Sequence, residues 1–313
     1  FRVGFDLVVE NMGATRRFLA SLSIAAAGLA TDAASAETLS EANTAALGEY
    51  SVGTYGPGLF FEQASSIPLE LTVAYGGTAA LGFSKWGWGT SSFRFCSEGY
   101  FGRDTAYGGM DKLGHAWNAA VLSETFTDAI RKRAPNPDGA PVTGFILSMG
   151  VMGMIEVMDG FSTDYGFSYE DITADIAGAT LGYLRSTYPE LEEKVDFRIE
   201  YIPSGNEKGF TLQSDYSGQK YLLALKLSGF ETFEETPLRF VELHAGYYAR
   251  GFTDEEIADG NSKRREPYAA IGLNLSELLL SNDEVRNNKF GRFARRTLEY
   301  VQVPYTYLPT ERD

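Results

Sequence analysis

The sequence pattern changes near residue 194, and this change limits the fold more than any other feature. Before it, four apolar segments have the lengths and turn signals of α-helices. After it, short segments alternate apolar and polar residues, as strands do. Helices followed by strands predict an α+β protein rather than alternating βαβ units. We expect a bundle of about four helices in residues 66–192 and an antiparallel β-meander in residues 193–313.

The helical half divides at turn signals. The segment PNPDG separates the second helix from the third, and Ser168 with Asp171 has the Ser-x-x-acid pattern of a helix start. The third helix contains 17 uncharged residues, Gly139–Ile155, which is borderline for a membrane span. Its Gly and Met content favours a buried core helix, and a membrane span is the alternative. The predicted helices cover residues 69–88, 110–133, 141–158 and 168–188.

The second half is predicted to be a small sheet. Four or five strands are too few to close a membrane barrel in one chain, so a sheet packed on the helices is favoured. An outer-membrane-associated sheet, or one completed by oligomerisation, is the alternative. Glu242 and His244 share a face of one strand, where we expect a surface pair. The predicted strands cover residues 196–202, 220–227, 239–250, 268–275 and 299–308, with a short helix within 276–298.

The N-terminal region has the features of a bacterial signal peptide. The first methionine is Met12, Arg16 and Arg17 precede a short apolar stretch, and Ala34-Ser35-Ala36 is a small-x-small cleavage site. We therefore predict a signal peptide at residues 12–36, untranslated sequence at 1–11 and a lead-in segment at 37–65. A cytosolic N-terminal helix is the alternative. The signal peptide predicts a protein of the periplasm or one associated with the outer membrane.

The net charge limits the classes of partner that we expect, and the cysteine content limits the disulfides. The net charge of −15 argues against nucleic acid, and the one cysteine, Cys96, excludes an internal disulfide. The expected partner is an envelope protein or a membrane surface, although the acidity argues against anionic lipid. The oligomeric state is left open.

Three pairs of candidate ligands lie on three successive predicted helices. Residues spaced i, i+3 or i, i+4 share a helix face, so the faces could converge in a bundle. Carboxylates with one imidazole suit zinc, manganese or iron, and helical bundles hold such sites in their cores. The candidate metal ligands are Asp111, His115, Glu156, Asp159, Asp171 and Asp175. A divalent metal is the one cofactor that this pattern suggests.

The same residues have two other interpretations. Clustered carboxylates raise one another's pKa and His115 could carry protons, so Asp111, His115, Glu156 and Asp159 are also candidate acid/base groups. The structural alternative is that the acids cap helices and that His115 is a hydrogen-bonded core residue. Trp86, Trp88, Trp117 and Tyr100 could line a ligand site or fill the core.

Two stretches resemble a known family. They read EGYFGRDTAYGGMDKLGHAW and GMIEVMDGFSTDYGFSYEDITADIAGATLGYL, and residues 68–190 resemble the YfiM-like family of predicted periplasmic proteins, many of them lipoproteins. The last helix is also similar to that of VanZ-like membrane proteins. The resemblance implies export and a helical architecture, but no reaction. Two features depart from it: no lipobox cysteine follows the apolar stretch, and Asp175 stands where an asparagine is expected.

Two functions remain in competition. The first is a non-catalytic envelope protein that has a structural or partner-binding role. The second is a metal-assisted hydrolase or transferase acting on a cell-wall or lipid substrate. Nucleophilic catalysis is not expected, because the chain has no G-x-S-x-G and Cys96 has no histidine near it in sequence. The chain also has no phosphate-binding glycine loop with a lysine.

Overall fold

Helices form the first half of the described chain. The computed structural model describes residues 55–205, 215–280 and 288–309. Gly56–Asp313 form one compact unit. A five-residue π-helical turn, Thr72–Gly76, joins the second and third helices. The helices in this half are α1 (Pro57–Ser65), α2 (Pro68–Leu71), α3 (Gly77–Lys85), α4 (Met110–Arg133), α5 (Ala140–Asp159), α6 (Tyr169–Thr187) and α7 (Pro189–Lys194).

An antiparallel sheet with strand order β1-β2-β3-β4-β5 follows the helices. The α+β prediction is therefore confirmed. Short helices connect the strands. The elements are β1 (Val195–Tyr201), β2 (Gln219–Lys226), α8 (Glu231–Glu234), β3 (Val241–Arg250), α9 (Asp254–Ala258), β4 (Arg264–Leu273), α10 (Leu275–Leu279), α11 (Lys289–Tyr300) and β5 (Tyr307–Pro309).

Local sequence signals set the starts of the two helices that carry most of the acidic residues. The Ser168 hydroxyl accepts a hydrogen bond of 3.2 Å from the Asp171 N–H, which caps α6 as the Ser-x-x-acid pattern predicts. Before α4, Gly109 has a φ of +90°, a conformation that favours glycine. These starts place Asp111 and Asp171 in the first turns of their helices.

Glycines let α4, α5 and α6 approach closely. A Cβ atom on Gly182 would lie 2.6 Å from the Ala120 carbonyl oxygen, and one on Gly178 would overlap the backbone of Ala116. Gly144 faces Ser123 in the same way, at 2.6 Å from its carbonyl oxygen. The backbones of α5 and α6 therefore lie directly against α4.

The helix α5 packs in an apolar core. Leu147 and Val151 form a buried cluster with Phe126, Ile130 and Ile67. Among the described residues, Ala140–Asp159 is the one helix that is long and apolar enough to cross a membrane, with a mean hydropathy of 1.6. Core helices of globular proteins meet the same criterion, and this contact with α4 fits the core-helix interpretation.

The sheet has a polar buried face and an apolar face that is only partly covered: Ile199 and Tyr221 on the apolar face are buried against Met110 of α4. Asp196, Arg198, Glu242 and His244 are all at most 5% exposed. On the opposite face, Leu225, Leu243, Ile271 and Leu308 form one row across four strands. Ile271 is 52% exposed and Leu308 is 76% exposed. Alternation along the strands was predicted, but the polar side faces inward.

Ion pairs occupy the polar face. Arg198 donates to Glu242 at 2.8 Å and to Asp196 at 2.5 Å. Arg185 of α6 donates to Asp196 at 3.1 Å, and Lys226 does so at 2.7 Å. These cations outweigh the cost of burial and hold the pKa of Asp196 below its usual range.

The expectation that Glu242 and His244 form a surface pair was wrong. Their side chains are fully buried, with His244 Nε2 3.1 Å from Glu242 Oε2. Their shared strand face was read correctly. The error came from assuming that a polar face points to solvent, whereas Arg198 compensates Glu242 inside the protein.

Residues 301–309 connect the two sides of the sheet. The Gln302 N–H donates to the Ile199 carbonyl of β1 at 2.9 Å, and Val301 forms a parallel bridge with Ile199. Six residues later, β5 pairs with β4. The chain therefore closes the sheet by linking β1 to β4 through this segment.

Several predicted boundaries differ from the structure. The segment expected as a lead-in contributes α1, because Pro57 starts a helix whose Phe60 and Ala64 pack on the core. Residues 239–240 belong to a 3₁₀ turn before β3, and β4 begins four residues earlier than predicted. The predicted last strand overlaps the end of α11, and regular pairing begins at Tyr307. The predicted signal peptide lies outside the described residues.

Candidate metal centre

Three helices bring His115, Glu156 and Asp175 together. His115 lies on the second turn of α4, Glu156 on the last turn of α5 and Asp175 on the second turn of α6. The glycine contacts at Gly178 and Gly182 press α6 onto α4 and so bring Asp175 to His115. Each residue offers one ligand atom, and these atoms lie within 4.8 Å of one another.

The imidazole lies between two carboxylates. His115 Nδ1 is 3.1 Å from Asp175 Oδ1 and 3.6 Å from Glu156 Oε1. His115 Nε2 is 3.8 Å from Asp171 Oδ1. Glu156 and Asp175 are fully buried, whereas the His115 side chain is 21% exposed. One edge of the centre therefore reaches solvent.

Lys112 organises a second group of carboxylates. Its ammonium lies 2.6 Å from Glu98 Oε2, 2.7 Å from Asp111 Oδ2 and 2.7 Å from Asp171 Oδ1. Burial alone would lower the pKa of Lys112, but the charges of Asp111 and Asp171 raise it. The positive charge of Lys112 therefore already compensates the negative charge of this group of carboxylates.

Asp159 points to a different partner. Its Oδ1 accepts a hydrogen bond of 2.6 Å from the indole N–H of Trp88, which is buried. Burial raises the pKa of Asp159 to about 6, although the Trp88 hydrogen bond opposes the shift. The Trp88 ring therefore packs against α3, and its N–H holds the Asp159 carboxylate in place.

The His115 group, the Lys112 group and Asp159 together carry more negative than positive charge. Lys112 and His115 face six carboxylates, so full ionisation would leave four negative charges uncompensated. Unpaired buried charge is strongly unfavourable, and a protein compensates by binding protons or a cation. The carboxylates are Glu98, Asp111, Glu156, Asp159, Asp171 and Asp175.

The pKa values respond to this excess. Burial raises the pKa of Glu156 to about 8 and that of Glu98 to about 7, and it also raises the pKa of Asp175. Burial lowers the pKa of His115, but the Asp175 hydrogen bond and the charges of Asp171, Asp175 and Glu156 raise it to about 10. At neutral pH the metal-free centre therefore retains protons.

Two buried oxygens of the His115 group lack hydrogen bonds. Within the described residues, Glu156 Oε1 and Asp175 Oδ2 have no hydrogen-bond partner. The other oxygen of Glu156 accepts from the Ser168 N–H at 3.2 Å, so the Glu156 carboxylate is held with Oε1 directed at His115. An unsatisfied buried oxygen costs free energy unless a proton or an ion meets it.

The two donor separations measured from His115 fit one divalent ion. Nitrogen and oxygen ligands lie about 2.0–2.2 Å from zinc, so two donors of one ion are at most about 4.4 Å apart. The 3.1 Å and 3.6 Å separations from His115 Nδ1 lie within that limit. One imidazole with two carboxylates suits zinc, manganese or iron.

The structure divides the six candidate ligands between three environments. His115, Glu156 and Asp175 form one group, Asp111 and Asp171 pair with Lys112, and Asp159 pairs with Trp88. Sequence reasoning missed Lys112 and Glu98. Lys112 lies beside Asp111 in the stretch EGYFGRDTAYGGMDKLGHAW, which was a signal for it. Glu98 lies in an irregular loop, where no periodicity marks it.

Comparison with known proteins finds a similarity for one segment of the chain. Residues 97–187 match the family model DUF2279, described as a predicted periplasmic lipoprotein. The matched segment contains all six candidate ligands but fewer than a third of the 313 residues. Neither the curated proteins nor the solved structures contain a match to the chain. The family match supports a periplasmic or envelope location, fits an uncharacterised periplasmic family and assigns no activity.

Proposed function

We propose that this chain is a non-catalytic protein of the bacterial envelope whose helical part is stabilised by a divalent cation. His115, Glu156 and Asp175 would bind the ion. The observation that carries this proposal is the unpartnered Glu156 Oε1, buried and 3.6 Å from His115 Nδ1 in a centre with excess negative charge. The ion would connect α4, α5 and α6.

The neighbouring lysine group supports this assignment by contrast. There, the Lys112 ammonium lies within 2.7 Å of three carboxylates and meets their charge. In the His115 group, one imidazole meets two carboxylates, and Oε1 of Glu156 and Oδ2 of Asp175 lack hydrogen bonds. Asp171 Oδ1 of the lysine group also lacks a hydrogen bond, but it lies 2.7 Å from the ammonium. A divalent ion would supply to this group the charge that Lys112 supplies to the other.

Metal content tests the proposal directly. The full chain is purified from the envelope of an expressing bacterium, and its metals are measured by elemental analysis. We expect about one divalent transition metal per chain, lost in Glu156→Gln and Asp175→Asn, which keep the side-chain shapes. Glu170→Gln is the matched control. Glu170 lies on α6, as Asp175 does, but its carboxylate accepts a hydrogen bond from the Ser97 hydroxyl.

Each outcome is decisive. Wild-type protein that carries no metal and binds neither zinc nor manganese in calorimetry would overturn the proposal. Equal metal content in Glu156→Gln and in wild type would also overturn it.

A metal-assisted hydrolase or transferase acting on a cell-wall or lipid substrate is the second candidate. The exposed edge of His115 favours it, because three protein ligands leave a coordination position for water or substrate. Two cavities found in the described part of the chain are lined by none of the three residues. Metal-dependent turnover of peptidoglycan fragments or phospholipids, abolished in Glu156→Gln, would favour this candidate over the structural role.

A further inference from the structure

A second polar site lies at the end of the sheet. Strands β2, β3 and β4 and the turn after β3 line an open cavity of about 650 Å³. This volume is typical of pockets for small ligands. The lining residues that matter here are Lys220, Tyr248, Arg250, Glu256, Asn261 and Arg264.

Two arginines oppose each other in this cavity. Arg250 of β3 and Arg264 of β4 are direct partners in the antiparallel register. Like charges directly opposite each other destabilise a sheet. In the described residues, no ion pair joins either arginine to Glu266, which lies two residues after Arg264 on the same strand face. The charges of Glu256, Asp215 and Glu200 partly compensate Arg250, whereas Arg264 has no ion pair with a described carboxylate.

The acid that lines the cavity is already engaged. Glu256 Oε2 accepts hydrogen bonds from the Ser217 hydroxyl at 2.6 Å and from the N–H groups of Phe252 and Thr253 at 3.1 Å and 3.2 Å. These bonds fix the turn between β3 and α9. The Glu256 carboxylate is thus held by the backbone, and its charge acts on Arg250 without an ion pair.

The fold holds two of the three cations in place. Arg250 stacks on Tyr248, 4.8 Å from the ring centroid, and donates to the Gln219 carbonyl at 3.0 Å. The Lys220 ammonium lies 5.1 Å from the centroid of the same ring and donates to the Tyr307 hydroxyl at 3.1 Å. Arg264 is exposed and forms no hydrogen bond or ion pair with another described residue.

We propose that this cavity binds the phosphate group of a small ligand or lipid headgroup. Arginine offers a planar set of donors that matches phosphate oxygens, and a phosphate between Arg250 and Arg264 would remove their repulsion. Lys220, whose ammonium also lies 3.5 Å from Glu200 Oε1, adds a third cation, and Asn261 adds a neutral polar group. Three cations and one carboxylate, Glu256, line the cavity in a chain whose net charge is −15, which supports an anion site.

Calorimetry with inorganic phosphate tests the site. The full chain is titrated in chloride buffer, and a parallel arm measures flotation with phosphatidylcholine vesicles that do or do not contain phosphatidylglycerol. We expect saturable binding of phosphate, of phosphatidylglycerol vesicles or of both, weakened about tenfold or more in Arg264→Gln. Binding of phosphate alone indicates a soluble ligand, and binding of the vesicles alone indicates a headgroup.

The matched control is Arg265→Gln. Arg265 is the next residue of β4, lies on the opposite face and donates to the Phe101 carbonyl, so the variant removes the same charge outside the cavity. Its binding should match that of wild type. Wild-type protein that binds neither probe would overturn the proposal, and so would equal losses in the two variants. Because Arg264 is exposed and unpaired in the described structure, its substitution is expected to leave the fold intact.

Discussion

Lys112 and His115 lie one turn apart on α4 and meet their carboxylates differently. The ammonium of Lys112 reaches three carboxylates at 2.6–2.7 Å, whereas the imidazole of His115 lies 3.1–3.6 Å from two. A compact, strongly charged group can fill an acidic pocket that a single imidazole does not neutralise. At the residue scale, this difference makes the His115 group the better candidate for a metal ion.

The metal-free protein is expected to lose stability as the pH rises from about 5 to 8. Burial raises the pKa of Glu98 to about 7, that of Asp159 to about 6 and that of Glu156 to about 8. A raised folded-state pKa favours folding below the unfolded value, and this stability is lost as the pH passes the folded value. His115, with a pKa raised to about 10, extends the decline to higher pH. Thermal unfolding at a series of pH values, in the presence of a chelator, measures how stability changes with pH.

Glu156→Gln provides the control for this pH dependence. Glutamine resembles the protonated acid at every pH, so the variant should show a shallower decline in melting temperature between about pH 5 and pH 8. Adding the divalent cation to wild type should also flatten the decline, because the ion replaces the protons. A melting temperature of the metal-free wild type that is constant or rises over this range would contradict the prediction.

At the scale of the elements, close contacts between helices depend on glycine at particular positions. Gly178→Ala would force a methyl group into the backbone of Ala116, so we expect a loss of about 1–3 kcal/mol in the free energy of unfolding. The matched change is Gly153→Ala in α5, where no atom lies within 4 Å of the added Cβ. Alanine should stabilise that helix by about 0.5–1 kcal/mol. Urea unfolding measures both, and equal effects would contradict this packing.

The elements were more predictable than the site. The bounds of α4, α5 and α6 were predicted to within about two residues, because turn residues and caps mark them locally. The pairing of Asp111 with Lys112 was not predicted, since neighbours in sequence do not normally share a helix face. The buried Arg198 pairs were missed because alternation shows which residues share a face, but not which face is buried.

At the scale of the whole molecule, buried ion pairs connect strands of the sheet and join β1 to α6. Arg198→Met would leave Asp196 and Glu242 without one of their cations, so we expect a loss of about 3–5 kcal/mol in the free energy of unfolding. Arg295→Met is the control, since Arg295 is 47% exposed and its ion pair with Glu299 is 3.8 Å long. The control should lie within about 1 kcal/mol of wild type. Chemical denaturation of the full chain compares them.

Closure of the sheet by residues 301–309 predicts the effect of a truncation. A stop codon after Tyr300 would remove the Gln302 hydrogen bond to β1 and the β5 partner of β4. Unpaired strand edges pair with other chains, so the shortened protein should aggregate or form mixed oligomers. Size-exclusion chromatography detects this, and a monodisperse product that elutes as wild type does would contradict the prediction.

The same closure sets an order of events during biosynthesis. Ile199 of β1 meets Val301 only after about a hundred further residues have been made, so this contact joins residues that are far apart in the chain. Contacts between distant residues form slowly, and synthesis delivers the closing segment after the other strands. Until then, the nascent sheet has an open edge, which is the form that a chaperone would need to protect.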